Sequence, residues 1–242
     1  MCLIINNPTG KPIKHAYIKT AYENNKDGFG IMWADQGRVF TNQGLFTLDV
    51  IKELLKELNG VPYACHFRYR TRGKIEAEMT HPFRVLSKED DGEDLWLMHN
   101  GTFSHIKITG NESDSAIFAN DLHPIFRETG TDKLFDEYVP RLLGERLGQN
   151  KVLFMRGDGK VSIINDNLGF YEDCVWYSND YSLKANYREN LKLKAEAEAA
   201  LNQYTNWSKY YPVVKTPKNK QSTSVDVDFD FGVRHYGRWS GK

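Results

Sequence analysis

An α+β fold is what this sequence predicts, on three observations. Candidate strands come first, helices fill the middle and strands return near the end, which is not the regular alternation of a parallel α/β sheet. Two turn signals, Asp35-Gln36-Gly37 and Gly157-Asp158-Gly159, each separate short strand-like runs and read as hairpins. Between Thr47 and Gly60 the residues Leu48, Ile51, Leu54, Leu55 and Leu58 recur at helical spacing, with Thr47 as N-cap and Gly60 just past the end.

Taken in order, Cys2 to Ile5 is a short apolar run closed by Asn6-Asn7-Pro8-Thr9-Gly10, a buried strand ending in a turn. Phe29 to Trp33 and Arg38 to Thr41 form the first hairpin, behind the Gly-rich corner Asp27-Gly28-Phe29-Gly30. After the helix, Val61 to Tyr69 reads as a strand and Leu95 to Met98 as a short buried one leading into His99-Asn100-Gly101. Ser113-Asp114-Ser115 opens a helix over Ala116 to Phe126, with Pro124 as its kink or end. A further helix covers Thr131 to Leu143, broken near Pro140. Lys151 to Met155 and Lys160 to Asn165 flank the second hairpin turn, and Cys174 to Ser178 is the last strand. Beyond Lys184 the composition shifts: residues 185–215 include an Ala/Leu/Lys/Glu-rich helical extension, and 216–242 a polar tail carrying the alternation Val225-Asp226-Val227-Asp228-Phe229-Asp230-Phe231. That alternation suits either a disordered tail or a segment that adds to a partner's sheet.

The 242 residues suffice for one large domain with a tail. Lys and Arg total 32 against 32 Asp and Glu, so the net charge points to no polyanion partner. The three cysteines, Cys2, Cys65 and Cys174, are odd in number and contain no C-x-x-C pair, which fits a reducing cytoplasm. No basic-then-apolar leader opens the chain, and no apolar run approaches the roughly 20 residues that span a bilayer.

Cys2 has two readings. It is a small buried hydrophobe at the head of a strand, or, once Met1 is removed, it is both N-terminus and nucleophile. In the second case its α-amine, with a pKa near 7.7–8.0, serves as base for the adjacent thiol. Arg68 stands near a strand end, where a guanidinium can grip a carboxylate through two parallel hydrogen bonds. Asn100 and Gly101 place a side-chain amide beside a glycine N–H, the donor pair of an oxyanion hole. Asp114 is either a helix cap or a partner for a substrate ammonium. On an uninterrupted strand Arg68, Arg70, Arg72 and Lys74 would share one face, a basic strip able to receive an acceptor's phosphate or carboxylate, or a nucleic-acid backbone; the competing reading is a solvated turn at Arg72-Gly73-Lys74. His15, His105, His123 and His235 lack metal-ligand spacing, and Glu89-Asp90-Asp91 with Glu93-Asp94 reads as a charged loop.

Met1-Cys2, Asp27-Gly28-Phe29-Gly30-Ile31, His66-x-Arg68-x-x-Thr71-x-Gly73, Thr80-His81-Pro82, His99-Asn100-Gly101 and Ser113-Asp114-Ser115, in this order, resemble the glutaminase domain of class II glutamine amidotransferases, which are N-terminal-nucleophile hydrolases. The resemblance covers residues 1–184, including Trp176-Tyr177-Ser178-Asn179. It implies a four-layer αββα sandwich of two antiparallel sheets. It also implies Cys2 as nucleophile, Asn100 and Gly101 as oxyanion hole, Arg68 and Asp114 on the α-carboxylate and α-ammonium of glutamine, and Thr71 and His81 among the pocket walls. No cofactor or metal is implied. Tyr69, Arg70 and Arg72 depart from the family's usual tryptophan, small residue and histidine, which alters the surface where an acceptor or partner would meet the site.

The activity implied is glutamine hydrolysis with ammonia supplied to a separate acceptor or acceptor-modifying enzyme, in a stand-alone form of the domain. Two alternatives remain at this level: a hydrolase of γ-glutamyl amides with the same residues, and a non-catalytic interaction protein using the basic strip or the tail.

Overall fold

The computed structural model describes residues 2–70, 75–108, 110, 112–185, 187, 192–196 and 198–199. The chain divides into two units, Met1–Lys194 and Ala195–Lys242, and the fold described is that of the first. Positions 192–196 and 198–199 of the expected extension are helical; the tail, with its alternating aspartates, lies outside the described residues.

Among the described residues up to Lys184, ten strands and five α-helices follow one another in no regular alternation. They are β1 Leu3–Asn7, α1 His15–Asn24, β2 Phe29–Asp35, β3 Arg38–Leu45, α2 Leu48–Glu57, β4 Tyr63–Phe67, β5 Phe83–Leu86, α3 Lys88–Asp91, β6 Leu95–Asn100, α4 Asp114–Thr129, α5 Tyr138–Leu147, β7 Lys151–Arg156, β8 Val161–Ile164, β9 Phe170–Glu172 and β10 Val175–Tyr177. Two antiparallel sheets result, six-stranded in the order β3-β2-β4-β1-β10-β9 and four-stranded in the order β5-β6-β7-β8.

The period of two in the strands builds the layers. Ile4, Met32, Ala64 and Trp176 point from the large sheet toward Met98, Leu153 and Met155 of the small one and form the core between the sheets. Leu3, Ile5, Ile31, Cys65 and Phe67 point the other way, onto Ile18 and Ala21 of α1 and Ile51 of α2. Leu95, Leu97, Val152, Phe154 and Ile164 likewise meet Ala119 of α4 and the inner side of α5. The arrangement is helix, sheet, sheet, helix: the expected four-layer sandwich. Because β1 is covered on both faces, it reads as the continuous apolar run Leu3-Ile4-Ile5 rather than as an alternation.

Three local expectations are corrected. Pro124 neither ends nor interrupts α4, which runs on to Thr129. The carbonyl deprived of its donor belongs to Asn120, an exposed residue that water can serve. The break in the next helix falls before Pro140, at Asp136-Glu137, between a 3₁₀ turn Asp132–Phe135 and α5. Asp136 Oδ1 accepts from the N–H groups of Tyr138 and Val139 at 3.0 and 3.1 Å, so Pro140 sits in a first turn where its missing N–H has no consequence. The acidic stretch near residue 90 is not simply a charged loop. Asp94 is buried, and its two oxygens accept from Val39 N–H of the large sheet at 3.0 Å and from Lys88 N–H at 2.8 Å. Asp91 is held by Ser87 N–H at 3.0 Å, which keeps its carboxyl below the usual range.

Candidate active site

The site lies where strand ends converge. β1 pairs with β4 in the register Leu3↔Phe67, which brings Cys2 alongside Arg68 and Tyr69. Tyr69 N–H points at Cys2 Sγ at 3.4 Å, and the thiol in turn faces Tyr69 O at 3.5 Å. On its other side β1 pairs with β10, and the residues just beyond β10 hold the chain at Cys2. Asn179 Nδ2 donates to Cys2 O at 2.8 Å, Ile4 N–H donates to Ser178 Oγ at 2.9 Å, and Ser178 N–H donates to Ile4 O at 2.9 Å.

Cys2, Arg68, His81, Gly101 and Asp114 all line one cleft of about 590 Å³, its open mouth included. Arg68 is buried, its N–H bonded to Gly28 O at 2.8 Å. Burial lowers the pKa of its guanidinium, while Cys2 and Asp27 oppose that shift. Asp114 is the first residue of α4; the cap is Ser113, whose hydroxyl accepts from Ala116 N–H at 3.1 Å. The Asp114 carboxylate accepts from Phe103 N–H at 2.8 Å and Ser115 N–H at 2.9 Å, which leaves acceptor capacity toward the cleft.

Gly101 has φ +154°, and a Cβ there would lie 2.1 Å from Asn150 Oδ1. Asn150 Oδ1 is occupied by Thr102 N–H at 2.8 Å and His99 Nε2 at 3.0 Å, and His99 Nδ1 meets Ser115 Oγ at 2.8 Å. This network fixes the turn after β6, and Asn150 is a residue that sequence reading did not single out. His81 is anchored from β3: Gln43 Nε2 donates to the carbonyls of Thr80 and Pro82, on either side of it, and a Cβ on Gly30 would lie 1.7 Å from His81 O.

His81, in the cleft wall, packs against His66 behind it, with ring centroids 4.1 Å apart and the rings tilted by 41°. The ring nitrogens of both are buried and, among the described residues, no side chain hydrogen-bonds to either ring; the backbone of His99 lies close to His66. Desolvation, reinforced by Arg68, pushes His66 down to about 3 and His81 well below its ordinary value; burial also lowers His99, to about 4. All three imidazoles are neutral at pH 7. Asn100 is buried, does not line the cleft, and donates from Nδ2 to Ser178 Oγ at 2.7 Å.

Of the four residues of the basic strip, Arg68 and Arg70 are described, and they do not share a face of a strand. β4 ends at Phe67, so the period of two does not carry onward; Arg68 turns inward while Arg70 is exposed, its N–H bonded to Asp27 Oδ2 at 2.7 Å. Arg72 and Lys74 lie outside the described residues, as do the predicted wall residue Thr71 and the terminal Met1.

A cysteine at the head of a central strand in an αββα sandwich is the arrangement of N-terminal-nucleophile hydrolases. Within that class, the family model for class-II glutamine amidotransferases matches residues 2–128, more than half of the 242-residue chain, and the chain belongs to that family. Among solved structures it is similar to glutamine phosphoribosylpyrophosphate amidotransferase from B. subtilis complexed with ADP and GMP (17% identity, TM-score 0.47, 75% of this chain and 42% of that one). It is also similar to a structure described as the allosteric regulatory enzyme of purine biosynthesis (16% identity, TM-score 0.43, 73% and 41%). The chain thus matches about two fifths of the length of each. Comparison with curated protein sequences gives no match. Among the described residues no helix is long and apolar enough to cross a membrane.

Proposed function

We propose that the protein hydrolyses the side-chain amide of glutamine through Cys2 and supplies the ammonia to an acceptor carried by another molecule or enzyme. The observation that carries this is the cleft itself, which gathers Cys2, Arg68, His81, Gly101 and Asp114 from segments far apart in the chain. Arg68 takes the α-carboxylate and Asp114 the α-ammonium, an opposed pair of charges that selects an amino acid and aims its side chain at the thiol. With Met1 removed, the Cys2 amine accepts the thiol proton and sulfur attacks the amide carbon. Donors from Asn100 and Gly101 hold the developing oxyanion. Collapse expels ammonia, which takes its proton from the Cys2 ammonium, and leaves a γ-glutamyl thioester. Water then adds to the thioester, releasing glutamate and restoring the thiol. Tyr69 N–H, facing sulfur at 3.4 Å, favours the thiolate over the thiol.

Intact-mass measurement before and after treatment with a diazoketone analogue of glutamine tests this. The expected result is a chain lacking Met1 that gains one adduct, mapped to Cys2, together with equal release of glutamate and ammonia from glutamine. Retention of Met1, or labelling unchanged in Cys2→Ala, would overturn the mechanism.

A further inference from the structure

Ser178 carries an imbalance in hydrogen bonding. Three N–H groups point at its Oγ: Ile4 N at 2.9 Å, Asn100 Nδ2 at 2.7 Å and Asn179 Nδ2 at 3.4 Å. A hydroxyl oxygen has two acceptor lone pairs and one proton to give. In this arrangement Oγ is asked to accept three times, and its own proton has no acceptor. Beside it, Asn100 Oδ1 is fully buried and has no partner. A buried carbonyl left unsatisfied costs about 1–3 kcal/mol.

The two ends of a carboxamide are nearly isosteric, so hydrogen-bond accounting decides which faces Ser178. We infer that the Asn100 amide is turned by half a rotation, with the Ser178 hydroxyl donating to Oδ1, and that Ser178 is the residue that keys this orientation. Oγ then accepts twice, from Ile4 and Asn179, and donates once. The buried carbonyl is satisfied. Nδ2 moves to the enclosed position that has no partner among the described residues, so what remains unpaired is an N–H donor, which an oxyanion can satisfy, rather than a carbonyl, which it cannot. Ser178 suits the task because it is fully enclosed and its backbone is tied to Ile4 by a further bond, Ser178 N–H to Ile4 O at 2.9 Å. Its neighbour Asn179 holds the carbonyl of Cys2 at 2.8 Å, so the keyed amide and the nucleophile are referred to the same two residues.

This deepens the proposed function and rests on it: Ser178 is a positioning residue acting through Asn100 on the oxyanion. The test is a double-mutant cycle on glutamine hydrolysis with Ser178→Ala, Asn100→Ala and the pair. Asn100→Ala is expected to lower kcat by about 10²–10³, the usual effect of losing one oxyanion donor. Ser178→Ala should lower kcat about tenfold with KM nearly constant, and should cost clearly less once Asn100 is alanine, where only the Ser178 hold on β1 through Ile4 remains to be lost. A Ser178→Ala loss of the same size in both backgrounds, or one expressed in KM, overturns the inference. A readout independent of turnover comes from NMR of the wild-type protein. Weak or absent NOEs from the Asn100 side-chain amide protons to the Ser178 β-protons support the turned amide, and strong ones overturn it. A wild-type protein that leaves glutamine intact would overturn the functional reading instead, and the NOE result would still decide the orientation.

Discussion

Acidification from pH 7 to pH 5 should weaken the fold by about 4 kcal/mol through His66 and His99 alone. Their folded pKa values are about 3 and about 4, lowered mainly by burial. In the unfolded chain each returns to roughly 6.5. Since the folded values are the lower ones, the unfolded state binds more protons throughout the interval between, and stability must rise with pH there. At pH 5 an unfolded histidine is favoured by about 2 kcal/mol through protonation, whereas the folded rings remain almost wholly neutral. The contribution is intact above about pH 6.5 and is lost progressively below it. His81, lowered further by the same burial, adds in the same direction. Against a domain stability of about 5–15 kcal/mol this is a large fraction. Urea unfolding followed by tryptophan fluorescence at pH 5, 6 and 7 measures it. The control is His66→Leu, which removes a ring with no side-chain hydrogen bond to lose and should flatten the dependence by about 1.4 kcal/mol per pH unit at its steepest. An unfolding midpoint that does not move between pH 7 and 5, or a His66→Leu protein with the wild-type slope, would refute the reasoning.

Gly101→Ala should destabilise the protein by about 1–3 kcal/mol, because the new methyl meets Asn150 Oδ1 at 2.1 Å on a backbone with φ +154°; thermal unfolding reads the loss, and an unshifted midpoint would count against the turn geometry. Arg68→Gln should raise KM for glutamine at least about tenfold while changing kcat less, since it removes a charge-assisted fork worth roughly 1.5–3 kcal/mol; the reverse split, in an ammonia-release assay, would argue that Arg68 does not hold the substrate carboxylate.

What was legible in the sequence follows from which forces are local. Both hairpins, α2 and the strands around Ile4, Cys65 and Leu97 announce themselves by turn residues and apolar period, and the structure has them within a few residues of their expected limits. α1 does not, because only Ile18, Ala21 and Asn24 of its ten residues are buried and no side chain caps its start. β9 is three residues long, too short to show a period. Asp94 looked like a solvated charge because its partner, Val39 N–H, is 55 residues away and belongs to the other sheet. The candidate site residues were visible as residue types in an order, and five of the seven line or flank one cleft. Asn100 lies behind it, and Thr71 is outside the described residues. Their bonding was not visible. Asn150 and Ser178 act through hydrogen bonds to residues 48 to 174 positions away in the chain, and contacts at such separations leave no periodic pattern in it.

The strand that carries Cys2 shows why such contacts matter. Leu3, Ile4 and Ile5 are apolar on both faces, so sliding β1 by one residue would exchange one buried face for another with little change in hydrophobic burial. Apolar packing therefore does not by itself fix where Cys2 stops. The polar contacts at the end of β10 do: Ile4 N–H on Ser178 Oγ, Ser178 N–H on Ile4 O, and Asn179 Nδ2 on Cys2 O hold the strand at one register. A slip would break all three and leave enclosed donors and acceptors unpaired, at about 1–3 kcal/mol for each. With Ser178 also donating to Asn100 in the inferred orientation, the same residue sets both the position of the Cys2 sulfur and the orientation of the Asn100 amide. Coupling the two in one hydroxyl means that the packing that satisfies Ser178 also fixes Cys2 and the Asn100 amide relative to each other.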